Sequence, residues 1–315
     1  MPPQLQAPDP LDAPAPRTPA PPAQPGSQHP AATPAAPQTA PTGYRHIELE
    51  YPVHPRPRPL LHGVGGKRLL ATLDAAVPYA RTALAPIAQH HDLLRKIPVH
   101  RTPELHEREP NWCNGWFPAV DAAVLYGLLV QRNPRLYVEV GSGNSTRFAR
   151  RAIREHGLRT RIISIDPCPR AEIDALCDES LRMPLEGLDL GAMQPLCAED
   201  LLFIDSSHRT LQNSDVTVFF LEVLPALPPG LLFGLHDVFL PQDYPEPWIE
   251  RFYSEQYLLA SYLLGGADGD AVRLPLAYLH GATRELDVLA PLFDALELPI
   301  GERFGNAFWM QKRPR

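Results

Sequence analysis

Four short apolar runs set the rhythm of the chain's middle: RLYVEV at 135–140, RIISID at 161–166, LLFIDSS at 201–207 and LLFGLHD at 231–237. Each is almost continuously apolar, the pattern of strands buried on both faces of a parallel sheet. Between them apolar positions recur at helical spacing over 145–156, 171–179 and 211–227. A similar stretch at 119–131 precedes the first run and is closed by Asn133-Pro134. Strand alternating with helix predicts a doubly wound α/β fold with right-handed crossovers. Beyond Asp237 the pattern predicts a loop, a helix over 248–264, a strand in DAVRLPLAYL, a helix over 290–298 and a last strand in NAFWMQKR. Upstream, 69–96 has helical spacing broken at Pro78 and Pro86 and predicts a small helical preface.

Composition trims both ends of this picture. The first 42 residues hold fourteen of the 39 prolines and ten alanines, with no aromatic, Val or Ile. Such a segment buries too little to offset ordering entropy, so 1–42 is expected to be a disordered, partly polyproline-II tail. Residues 43–111 follow as an extended arm and helical extension, and 112–315 as the α/β domain. The net charge of −7 comes without a Lys/Arg cluster, so nucleic acid is not an expected partner. Arg147, Arg150, Arg151 and Arg154 read as one solvated helix face. Cys113, Cys168, Cys177 and Cys197 have no CxxC or metal spacing and are expected to be reduced thiols. No secretory leader pattern and no apolar run of ~20 residues is visible. The expected protein is soluble and cytoplasmic, with no membrane partner and no oligomeric state set by its sequence.

The stretch YVEVGSGNSTRFARR, from Tyr137, is where chemistry enters. Strand gives way to Gly-x-Gly and at once to a helix. Gly141 and Gly143 allow a tight reversal and close approach of a ligand to the backbone, while Asn144, Ser145 and Thr146 are candidate caps. Asp166 ends the next strand, where a carboxylate accepts hydrogen bonds from ribose hydroxyls. An adenosine-bearing cofactor follows. The dinucleotide fingerprint has Gly or Ala where this chain has Thr146, and Glu139, two residues before Gly141, would repel a pyrophosphate. S-adenosylmethionine, with a sulfonium, an ammonium and no phosphate, suits that charge.

VEVGSGNST resembles motif I of the class I S-adenosylmethionine-dependent methyltransferases. ISIDP is similar to their ribose motif, and LLFIDSSH with PPGLLFGLHDV is similar to their fourth and fifth strands. The resemblance covers about 112–312. It is nearest to bacterial small-molecule O-methyltransferases with IDxxH and HD at those strand ends, relatives of metal-assisted enzymes. It implies a Rossmann-like, seven-stranded, mostly parallel sheet with an N-terminal helical extension. It also implies that Glu139, Gly141, Ser142, Gly143, Asn144 and Ser145 surround the methionine and ribose of the cofactor, and that Asp166 holds the ribose. Asp205 would lie beside the methionyl part or bind a metal, and the loop between Arg182 and Asp200 would pass the adenine.

Asp205, His208, His236 and Asp237 all fall at the strand ends that carry the glycine turn. In-line methyl transfer needs the acceptor about 3 Å behind the methyl carbon, and a hydroxyl acceptor must lose its proton. Two readings compete. Asp205 and Asp237 hold Mg²⁺ or a similar cation through oxygen, or His208 or His236 is the base and Asp237 orients it. Metal-assisted relatives carry a second Asp or Asn where this chain has Val238, which removes one ligand. Asp215 and Asn213 read as capping or packing groups. Trp248, Tyr253 and Tyr257, and likewise Trp112, Asn114 and Trp116, are equally consistent with an acceptor wall and with core. The expected reaction is methyl transfer to a small-molecule hydroxyl. The alternatives are an NAD-dependent oxidoreductase and a non-catalytic nucleoside-binding protein with the same fold.

Overall fold

The computed structural model describes residues 55–58, 63–169, 172–189 and 195–314. The 1–42 tail and much of the extended arm lie outside the described residues. Seven strands form one sheet: β1 (Leu136–Val140), β2 (Arg161–Ile165), β3 (Glu179–Leu181), β4 (Leu201–Ile204), β5 (Leu232–Leu235), β6 (Ala271–Pro275) and β7 (Phe308–Gln311). Their order is β3-β2-β1-β4-β5-β7-β6. The first five are parallel, and β7 inserts antiparallel between β5 and β6. Because β2 and β4 flank β1 on opposite sides, the chain diverges at the end of β1, and a crevice opens there.

Helices cover both faces, which explains why β1, β4 and β5 are buried throughout. Helix α4 (Ala119–Arg132) packs against α5 (Asn144–His156). An N-terminal helical layer of α1 (Gly63–Asp74), α2 (Val77–Leu84) and α3 (His91–Leu94), with a 3-10 turn over Ala85–His90, lies over β6 and α4. Eleven of the fourteen α4 residues are therefore buried. Pro78 and Pro86 sit in the first turns of their helical pieces, where a missing N–H costs no hydrogen bond.

Five expected elements differ. The helix over 171–179 is a 3-10 turn at Asp174–Leu176 followed by β3, a short, polar edge strand held by its parallel ladder to β2. The helix over 211–227 starts at Asp215, where Ser214 accepts from the Thr217 amide and its own amide donates to Thr217 Oγ1. It runs on as α6 (Asp215–Val218), a π turn (Phe219–Val223) and α7 (Leu224–Ala226). The helix over 248–264 is broken by Phe252, in the left-handed region at φ 53°, which separates a 3-10 turn, Glu246–Arg251, from α8 (Glu255–Leu264). The strand in DAVRLPLAYL ends at Pro275, which has no N–H for a ladder and instead starts α9 (Leu276–Ala282). The 290–298 helix is the shorter α10 (Ala290–Ala295). Among the described residues no helix is long and apolar enough to cross a membrane.

Candidate active site

The turn after β1 has one obligatory glycine. Gly141 has φ +79°, and a Cβ there would lie 1.8 Å from the Asp205 carbonyl oxygen. At Gly143 a Cβ would meet nothing within 4 Å, so the missing side chain leaves room in the crevice. The Gly143 amide donates to Thr146 Oγ1 (3.0 Å), and that hydroxyl donates to Glu139 Oε2 (2.5 Å). Thr146 thereby ties the start of α5 back to β1. Asp166 Oδ2 accepts from the Ser142 amide and Oδ1 from the Cys168 amide, both at 2.8 Å. Each oxygen keeps a lone pair for a ribose hydroxyl.

Glu139 corrects one expectation. It is fully buried, with the Tyr137 hydroxyl on Oε1 at 2.8 Å, and it braces the turn from behind. Burial pushes its carboxyl up to about 7, against the lowering effect of hydrogen bonds from Ser145, Thr146 and Tyr137. The carboxylates that face the crevice beside the turn are those of Asp166 and Asp205, so the attraction for a cationic donor passes to them. Ser142, Asn144 and Ser145 also line the crevice, with Ile165 and Leu185 on the side expected for adenine. Part of the 182–200 loop lies outside the described residues.

Asp205, His208 and Asp237 each bring one ligand atom within 4.8 Å of the others. Their side chains are 28 %, 3 % and 11 % exposed, in that order, and all three line the crevice. His208 and Asp237 have φ of 58° and 55°, a left-handed conformation that costs a non-glycine residue about 1 kcal/mol. The surrounding bonds hold them there. His208 Nδ1 is 2.8 Å from Glu255 Oε2, and Nε2 is 3.3 Å from Asp205 and 3.4 Å from Asp237. Asn306 Nδ2 donates to Asp237 Oδ1 at 3.0 Å.

His236 is only 1 % exposed, does not reach the crevice, and lies against Phe117 and Phe203. Its Nδ1 is 3.2 Å from Asp205 Oδ1 and its Nε2 is 3.2 Å from Asp121 Oδ2. The expectation of a catalytic base at His236 is therefore corrected: both nitrogens are engaged and no acceptor can touch it. His208 is on the crevice, but Glu255 rather than Asp237 orients it. Burial opposes charge on either ring, yet Asp205, Glu255 and Asp237 at His208, and Asp205, Asp237 and Asp121 at His236, raise both imidazoles well above their ordinary value. Burial also pushes both aspartates up. The imidazoles prevail at Asp205, which is held low, and not at Asp237, which is raised. The oxygen-only Mg²⁺ site expected from Asp205 and Asp237 gains an imidazole nitrogen, a donor set better suited to a borderline first-row divalent ion.

The crevice, whose volume is about 1190 Å³, is also lined by Tyr253 and Arg251. The Tyr253 ring is 4.7 Å from that of His208, and the Arg251 guanidinium is 3.8 Å from the Trp248 ring. Trp248 packs on Phe239, and the Tyr257 hydroxyl donates to Asp243. Asp215 holds the loop after β4, accepting from the Ser207 amide at 2.7 Å and its hydroxyl at 2.5 Å, and Asn213 lines the crevice. Trp112 is core, against Phe148, whereas Asn114 and Trp116 face the crevice. Sequence reasoning missed Glu255, Asp121 and Asn306. Of these only Asp121 left a signal, as a lone acid within the apolar run AVDAAVLYGLL.

A family model described as a methyltransferase domain matches residues 138–238. No curated protein matches the chain. Among solved structures, the chain is similar to TomG, an O-methyltransferase of Streptomyces achromogenes involved in tomaymycin synthesis, at 16% identity, covering 75% of this chain and 90% of that one, with a TM-score of 0.38. It is similar to an O-methyltransferase from Bacillus cereus at 14% identity, covering 73% and 89%, with a TM-score of 0.36. For the Podospora anserina methyltransferase PaMTH1 the values are 14%, 77% and 96%, and 0.40. The oxidoreductase alternative is set aside, because the matched domain is a methyltransferase. Residues 138–238 thus match a methyltransferase domain, and the seven-strand order and the turn after β1 match the fold of the class I methyltransferases.

Proposed function

We propose that this domain moves the methyl group of S-adenosylmethionine to a hydroxyl oxygen of a small-molecule acceptor, activated at Asp205, His208 and Asp237. The carrying observation is the meeting of these three ligand atoms, all within 4.8 Å, in the crevice that also holds the glycine turn. Its volume of about 1190 Å³ exceeds a usual single-ligand pocket of ~300–1,000 Å³, which suits a donor and a small acceptor together. The turn and Asp166 fix the donor, and the acceptor enters from the side of Tyr253. The acceptor oxygen attacks the methyl carbon in line, the carbon–sulfur bond breaks with its electron pair going to sulfur, and the hydroxyl proton leaves to solvent. A divalent ion on Asp205, His208 and Asp237 would lower the pKa of that hydroxyl and stabilise the oxyanion. The geometry favours this over an imidazole base, because Glu255 holds Nδ1 of His208 while its Nε2 lies among the ligand atoms of Asp205 and Asp237, where an ion would sit. A cytoplasmic setting is part of the proposal and rests on four free cysteines.

The test is release of S-adenosylhomocysteine with pooled catechols, hydroxybenzoates and sugars, before and after removal of metal by a chelator. Turnover is expected to fall more than about tenfold and to return with Mn²⁺ or Co²⁺ more than with Mg²⁺. Turnover indifferent to chelation would remove the metal from the proposal. Tight S-adenosylhomocysteine binding without turnover on any acceptor would remove the catalysis.

A further inference from the structure

Helix α5 carries four arginines, and three of them are neutralised. Arg150 reaches Asp178 at 2.6 Å, Arg151 reaches Glu109 at 2.8 Å and Glu155 at 2.6 Å, and Arg154 reaches Glu109 at 2.7 Å. Arg147, one turn closer to the glycines, points elsewhere. Its Nη1 donates to Asn144 Oδ1 at 2.7 Å, its Nε is buried without a hydrogen-bond partner, and among the described residues it has no ion pair. Arg101 lines the same crevice. Among the described residues its guanidinium donates to the backbone carbonyls of His106 (3.3 Å) and Glu109 (2.6 Å) and to no side chain. Burial pushes the Arg147 guanidinium down, as does the charge of Arg101, and Glu107 offsets this only in part. Two like charges thus line one crevice, and among the described residues no carboxylate is hydrogen-bonded to either.

We propose that Arg101 and Arg147 form a carboxylate-binding subsite beside the glycine turn. A guanidinium pairs with a planar carboxylate through parallel N–H donors, and Arg147 has an unused buried donor for it. The proposal rests on the methyl-donor reading and extends it. Asn144 connects Arg147 to the turn and, through Nδ2, to Asn114 Oδ1 at 3.0 Å. The subsite therefore adjoins the donor's amino-acid end. The methionine carboxylate of the donor and a carboxylate on the acceptor share this chemistry, and binding measurements separate them.

Calorimetry of the full chain would use four probes: S-adenosylhomocysteine, its carboxamide, 5′-methylthioadenosine, which lacks the amino-acid end, and 3,4-dihydroxybenzoate. If the donor's carboxylate is the ligand, the wild type binds S-adenosylhomocysteine about 10- to 100-fold tighter than the carboxamide. Arg147→Leu and Arg101→Leu erase that preference, Arg147→Lys keeps part of it, and methylthioadenosine binds all four proteins alike. If an acceptor carboxylate is the ligand, the preference is absent, and 3,4-dihydroxybenzoate binds the S-adenosylhomocysteine complex of the wild type at least tenfold tighter than that of Arg147→Leu. Either pattern supports the subsite. Equal binding of every probe by wild type and folded variants overturns it. Failure of the wild type to bind either nucleoside would instead bring down the methyl-donor reading, and the subsite with it.

Discussion

Gly141 and Gly143 stand two positions apart and answer to different constraints. At Gly141, φ of +79° and the 1.8 Å approach to the Asp205 carbonyl leave no room for any side chain. Gly141→Ala is expected to destabilise the domain by several kcal/mol, or to prevent folding, in thermal unfolding followed by circular dichroism. At Gly143 an added methyl meets no protein atom within 4 Å. Gly143→Ala is expected to keep a near-native melting temperature and to lose at least about tenfold in S-adenosylhomocysteine affinity. A melting temperature that falls equally in both variants would contradict this division. Glu139 yields a different expectation. Its carboxyl titrates at about 7 in the fold, against an ordinary 4.5. The native state thus keeps a proton that the unfolded chain releases above about pH 4.5, so stability falls as pH rises through this window and levels off above about 7. The cost is on the order of 3 kcal/mol. In Glu139→Gln, which still meets the hydroxyls of Tyr137 and Thr146, the urea midpoint is expected to gain on wild type between pH 5 and pH 8. A gap that is constant with pH would show that Glu139 titrates normally.

Elements whose burial is continuous were readable from the chain. β1, β2, β4 and β5 coincide with apolar runs because both faces of each are covered. β3 was hidden because Glu179, Ser180 and Leu181 are an edge strand of exposed or half-buried residues, with no apolar stripe to announce it. The break at Phe252 was equally invisible, since its left-handed φ of 53° belongs to a residue type that rarely adopts it. That break sets where α8 starts and so places Glu255 at its first turn, 2.8 Å from His208. Partners that orient a ligand or catalytic imidazole are worth about 10- to 100-fold in activity or metal affinity. Glu255→Ala is therefore expected to lower kcat by that factor, with S-adenosylhomocysteine affinity changed less than about twofold. Glu255→Gln, which keeps a hydrogen-bonding side chain on Nδ1, is expected to recover part of the loss. Parallel losses of cofactor affinity and kcat would mean that α8 merely supports the fold.

Taken whole, the molecule separates what periodicity reveals from what only assembly reveals. The glycine-turn side of the crevice is local: Gly141, Ser142, Gly143, Asn144, Ser145 and Asp166 come from two adjacent strand–turn units, and their spacing could be read directly. The side around His208 is not. Asp121 from α4, Asp205 and His208 after β4, Asp237 after β5, Glu255 from α8 and Asn306 before β7 meet only when distant segments pack. For the same reason His236 looked like a base. A strand-end histidine has no sequence mark that tells a crevice from a wall of Phe117 and Phe203. The clamp at Asn306 ties together elements that are far apart in sequence. Asp121 accepts from the amides of Asn306 and Ala307, while Asn306 also grips Asp237 through its side chain and Val238 through its carbonyl. Loosening that clamp, as in Asn306→Ala, would therefore slacken the start of α4 and the loop after β5 together, although neither is near it in sequence.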